Sequence, residues 1–233
     1  MKKWLIVAGA LASAGLFAYP ASAEPIVWGI QAEQFEYRIG EGSDIYAWDA
    51  GAFVGKDELR VVWRSEAEYA VDRDNFEVLE NQFRLQTPIS DFFDALVGVR
   101  FDTPQGPDRA YGMLGIHGLA PQWFEVDLDL FLSEYSSLRF EVDYEALITN
   151  RLILTPSIEL DIPLNDDKAT GRGAFGPTLE FGARLSYDLI DRSVAPYIGV
   201  HWERTFGESA TLARSEGGEA STVYVMAGVR LLF

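Results

Sequence analysis

From residue 25 onward the chain divides into about twelve segments of roughly ten to thirteen residues, each alternating apolar with polar and each closed by turn residues. The last segment, 222–233, shows the pattern most cleanly. Val223, Val225, Ala227, Val229, Leu231 and Phe233 share one face, while Tyr224, Met226, Gly228, Arg230 and Leu232 share the other. A period of two with a common length restricts the chain to strands of one sheet. The apolar face runs to the terminal aromatic, and with Gly and Arg opposite it suits a strand with lipid on one side and a lumen on the other. The segment also resembles the C-terminal insertion signal of outer-membrane barrels, with Met226 standing where a polar residue is usual. The competing reading is an edge strand of a soluble sandwich.

The upstream segments decide between the two. In segment five, Phe93, Ala95, Val97, Val99 and Phe101 oppose Asp94, Gly98, Arg100 and Asp102; in segment seven, Phe124, Val126, Leu128 and Leu130 oppose Glu125, Asp127 and Asp129. Segments eight and nine carry Arg139, Glu141, Asp143, Glu145, Ser157, Glu159 and Asp161 on the polar face, and segment ten carries Glu180, Gly182, Arg184, Ser186 and Asp188. Three consecutive inward acids fit a soluble core poorly. The first segment changes parity between Ile30 and Phe35, which calls for a bulge or a late strand start. Connections near 55–57, 88–90, 119–121, 149–150 and 191–193 are tight, whereas those near 163–177 and 205–221 are long and polar. Short on one side and long on the other is the outer-membrane arrangement. Outward aromatics near strand ends, such as Phe101, Tyr187 and Trp202, match interfacial girdles. The expected fold is an all-β transmembrane antiparallel up-and-down barrel of about twelve strands, with both termini periplasmic.

Lys2 and Lys3, an apolar run to about Ala18, and Ala21-Ser22-Ala23 read as a secretory signal peptide over residues 1–23, leaving 24–233 as the barrel domain. The net charge of −17 becomes about −19 once Lys2 and Lys3 are removed, a balance that argues against nucleic acid. With no cysteine, disulfides, thiolate metal sites and Cys nucleophiles are excluded.

Several blocks carry a family resemblance: residues 33–38, 47–50, 97–102, Gly118-Leu119-Ala120-Pro121-Gln122-Trp123-Phe124-Glu125-Val126, 149–154, and Ala195-Pro196-Tyr197-Ile198-Gly199-Val200-His201-Trp202-Glu203-Arg204. Together they resemble the copper resistance protein B family of the bacterial outer membrane. The resemblance implies a copper-handling barrel working with periplasmic copper-resistance partners such as a multicopper oxidase. Many members carry a Met- and His-rich stretch between signal peptide and barrel. Here only Glu24 and Pro25 stand between Ala23 and the first strand, which removes copper buffering by such a tail from what the resemblance implies.

Copper favours imidazole and thioether ligands. Beyond residue 24 these are His117, His201, Met113 and Met226, all inward by parity. Pairing of the last two segments sets His201 roughly across from Met226, with Glu203 one inward step above; this His/Met/carboxylate set is the leading copper site. Met113 and His117, about 13 Å apart along one strand, serve only as separate stations. Inward acids and arginines together form either ion-paired ladders or a cation conduit. A hydrolase is disfavoured because both histidines point into the lumen, and the segments contain no phosphate loop or HExxH. The alternative to a copper barrel is a general small-solute pore or a structural barrel without metal specificity.

Overall fold

The computed structural model describes residues 25–233 except 41, 104, 105, 191 and 216. The signal peptide expected over residues 1–23 lies outside the described residues. Thirteen strand segments form one sheet: β1 (Val27–Gly40), β2 (Ile45–Lys56), β3 (Leu59–Ala70), β4 (Asn75–Pro88), β5 (Phe93–Asp102), β6 (Arg109–Ala120), β7 (Phe124–Leu132), β8 (Ser137–Tyr144), β9 (Ala146–Leu147), β10 (Leu152–Pro163), β11 (Thr178–Tyr187), β12 (Val194–Thr205) and β13 (Ser221–Leu232). β8 and β9 both pair with β10 and are two pieces of one stave, interrupted at Glu145. Twelve antiparallel staves therefore run in sequence order.

β1 pairs with β13 and closes the barrel. Phe233 exchanges two backbone hydrogen bonds with Ile30, at 2.8 and 2.9 Å, so the terminal residue is built into the seam. Closure satisfies the backbone within the sheet, the condition for crossing hydrocarbon with strands. No helix among the described residues is long and apolar enough to span a membrane.

The alternation becomes two environments. Val225 is 62 % exposed on the outer wall and its neighbour Met226 is 2 % exposed in the lumen. Trp28, Ile30, Phe35, Val97, Phe181 and Ile198 also stand on the outer wall. The parity change in β1 is a bulge: its register slips against β2 between Ala32 and Gln34. That slip keeps Trp28 and Ile30 outward on one side of it and Phe35 outward on the other.

The connections segregate by end. Those over 57–58, 89–92, 121–123, 148–151 and 188–193 lie at the end where β1 begins and β13 finishes. The opposite end carries 164–177 and 206–220. The first of these holds a 3-10 turn (Lys168–Thr170), and the second holds α1 (Gly207–Ser215). Ser209 joins the two loops: its Oγ accepts from the Gly173 N–H at 2.9 Å and donates to the Gly176 carbonyl at 2.8 Å.

Candidate metal centre

The lumen is packed unevenly. Under β5, β6 and β7, Leu96, Tyr111, Met113 and Phe131 form an apolar cluster, capped by the Arg100 guanidinium 4.4 Å from the Phe131 ring centre. Met113 is 1 % exposed within it. This half of the barrel is filled by side chains.

Charged groups cross the middle of the lumen. Arg139 on β8 donates to Glu66 on β3 at 3.0 Å and to both Glu80 oxygens on β4 at 3.0 and 3.3 Å. Arg64 on β3 reaches back to Glu141 on β8 at 3.1 Å and pairs with Asp49 at 2.9 Å. Arg84 reaches Asp129 at 3.2 Å. A second cluster ties β11 and β12 to β1: Glu36 accepts from Arg184 at 3.0 Å, from the Tyr197 hydroxyl at 2.7 Å and from Arg38 at 2.7 Å. Arg38 also pairs with Glu68. Buried ion pairs contribute little net stability, because desolvation offsets attraction. Their structural effect here is to tie opposite walls together.

Between the two clusters lies a central cavity of about 210 Å³, lined by Arg38, Asp49, Glu68, Glu159, Glu180, His201 and Glu203 among others. His201 projects into it from β12. Gly182 stands directly opposite on β11; a side chain there would collide with Ser157 Oγ at 2.3 Å. The His201 side chain is only 6 % exposed, and its Nε2 lies 3.5 Å from Glu180 Oε2 without a hydrogen-bond partner. A buried, unpaired ring nitrogen is costly. It is also a free donor atom for a cation.

The expected arrangement of His201 and Met226 needs one correction. His201 pairs with Tyr224, and Met226 pairs with Gly199. Met226 is therefore a diagonal neighbour, at a typical spacing of about 7–8 Å, and its methyl lies over Gly199. The reason is register: strand parity fixes which face a residue takes, whereas the two-residue offset is set by the loop 206–220, closed by Thr205 N–H on the Ala220 carbonyl at 2.9 Å. Glu203 is the next inward residue above His201, as expected, and lies opposite Glu180. Glu180 is the residue that the sequence-based set omits. Its inward parity was legible, but its position beside His201 depends on the β11–β12 register.

His117 stands apart near the short-turn end. Its Nδ1 lies 2.9 Å from Asp127 Oδ1 and its Nε2 lies 3.8 Å from Glu125. Met113 lies within the apolar cluster, and His117 has Asp127 and Glu125 as its partners. Among the described residues, no three His, Cys, Asp or Glu side chains converge into a ready-made metal site.

A closed antiparallel barrel with a lipid-facing apolar wall and a charged lumen defines an outer-membrane β-barrel protein. Solved structures with this fold include the KdgM porin (TM-score 0.50, 14 % identity, 88 % of this chain and 99 % of that one) and the NanC porin (TM-score 0.51, 11 % identity, 88 % and 99 %). These similarities concern the fold alone. The family model described as Copper resistance protein B precursor (CopB) matches residues 26–233. The chain belongs to the copper resistance protein B family. It is 33 % identical over 203 residues to Copper resistance protein B of Escherichia coli, covering 86 % of this chain and 68 % of that protein. It is 31 % identical over 204 residues to the Copper resistance protein B homolog of Pseudomonas syringae pv. tomato (strain ATCC BAA-871 / DC3000), covering 87 % and 68 %.

Proposed function

We propose that this outer-membrane barrel takes copper ions into its acidic lumen and binds them in passing, with His201 as the principal ligand. The observation that carries the reading is the buried His201 Nε2, unpaired and facing a cavity lined by Glu180 and Glu203. Imidazole suits both common copper oxidation states, and Met226 adds a thioether on the neighbouring strand for the softer one. Sparse ligation supports transit rather than storage, since an ion held by one imidazole and a carboxylate is readily released. His117, with Asp127 and Glu125, supplies a second station toward the short-turn end. Met113 is left out of the route because apolar side chains enclose it. In this reading the short-turn end and both termini face the periplasm, and the signal peptide is cleaved after Ala23. Released copper is passed to periplasmic copper-resistance proteins such as a multicopper oxidase. No catalytic role is assigned.

The test is equilibrium titration of the refolded barrel with Cu(I) and Cu(II), beside His201→Ala. Loss of one ligand is expected to weaken binding by at least about tenfold, the equivalent of about 1.4 kcal/mol. Wild-type binding too weak to measure, or equal binding by both proteins, contradicts the reading. The alternative of an unselective solute pore is disfavoured by the guanidinium bridges across the lumen.

A further inference from the structure

We propose that Arg139 is a built-in cation that bars the lumen, and that the carboxylate row on its own wall is the path it guards. The row is defined by register. Glu141 on β8 pairs with Glu159 on β10, Glu159 with Glu180 on β11, and Glu180 with Glu203 on β12. Four carboxylates thus stand side by side on adjacent strands. Like charges in direct cross-strand pairs repel, so such a row calls for cations.

Two guanidiniums meet the row at its β8 end. Arg64 reaches Glu141 from β3 at 3.1 Å, and Arg139, on the same wall as the row, lies 3.8 Å from Glu141 while its strongest bonds lead elsewhere. Its two terminal nitrogens are committed across the lumen to Glu66 and Glu80. Only its Nε approaches Glu159, at 3.2 Å, and without hydrogen-bond geometry. Among the described residues, no arginine or lysine lies within ion-pair distance of Glu180 or Glu203. One end of the row is therefore closed by a guanidinium strapped to the far wall. The other end is left with acids that no arginine or lysine pairs directly, the central cavity and the unpaired His201 nitrogen.

A rigid planar fork holds two carboxylates of the far wall in fixed directions, whereas an ammonium is a compact point charge on a flexible stem that fixes no such geometry. The bar therefore depends on the shape of Arg139 as well as its charge. An entering cation draws Glu159 and Glu141 toward itself and competes with Arg139 for them; substituting Arg139 leaves the row open to ions in general. This inference rests on reading the lumen as a cation route but not on copper, so its test uses potassium chloride alone.

Single-barrel conductance in planar bilayers is measured for wild type, Arg139→Lys and Arg139→Gln, with folding checked by heat-modifiable gel migration. Wild type is expected to be nearly closed. Arg139→Lys, at unchanged net charge, is expected to conduct at least about threefold more, and Arg139→Gln more again with a reversal potential shifted toward cations. Arg184→Gln removes the same charge from the other cluster and is expected to stay within about twofold of wild type. A wide-open wild-type pore, an unchanged Arg139→Lys conductance, or an equal rise in Arg184→Gln overturns the proposal. Copper binding with unchanged Arg139 variants removes this inference alone; open variants without copper binding remove only the copper reading.

Discussion

His201 owes its position to residues that are absent as much as to those present. Gly182 and Gly199 flank its strand position on the lumen side, and a methyl at Gly199 would meet the Met226 methyl at 2.7 Å. These gaps leave room for the imidazole and the thioether on the lumen wall, with His201 facing a cavity lined by acids and arginines. Met226 can be tested separately from packing, since Met→Leu nearly conserves volume. Met226→Leu is expected to cost less than about 1.5 kcal/mol in a urea titration, while Cu(I) binding weakens and Cu(II) binding holds. Unchanged Cu(I) affinity would reduce Met226 to lumen filler. Parity alone placed His201, Glu203 and Met226 inward. The direction of the His201 ring toward Glu180 was not legible, because it depends on cross-strand register and on glycines whose role appears only once strands are adjacent.

At the scale of elements, the two long loops are folded structures tied to strand ends. Arg109 at the start of β6 grips Asp167 with two hydrogen bonds of 2.8 Å, and Arg172 pairs with Asp161 at the end of β10. The hydrogen bonds from Arg109 hold the Asp167 carboxyl below the usual aspartate range. A lowered folded-state value means that the clamp stabilises the loop fully above the ordinary aspartate pKa and is lost as pH falls through the lowered one. Limited proteolysis within 164–177 is accordingly expected to rise only in strong acid. In Arg109→Ala it should be fast already at neutral pH; equal protection in the variant would show that the loop is held by other contacts. Loop length and polarity were legible in the sequence. The helix α1 was not, since its Gly207 start and weak amphipathic pattern give little local signal, and its place is set by Ser209 bonding to the other loop.

For the whole molecule, a shared strand length and parity fixed the barrel. The count of about twelve held because the turns are marked by Gly, Pro, Asn or Asp, except 133–136, where Ser133 and Ser136 mark it. The division of the lumen was beyond reach of pattern alone: Arg139 meets Glu66 and Glu80 from 73 and 59 residues away, and nothing local records a pairing across a closed sheet. The same closure turns a row of acids on neighbouring strands into a candidate path, with one half of the interior packed and the other hollow. The most direct test of copper entry into that hollow is anomalous scattering at the copper edge from crystals of the refolded barrel soaked in copper. An anomalous peak within coordinating distance of His201 Nε2, facing Glu180 and absent in His201→Ala, is the expected result. Copper found only on the exterior, or in the lumen away from His201, would contradict it.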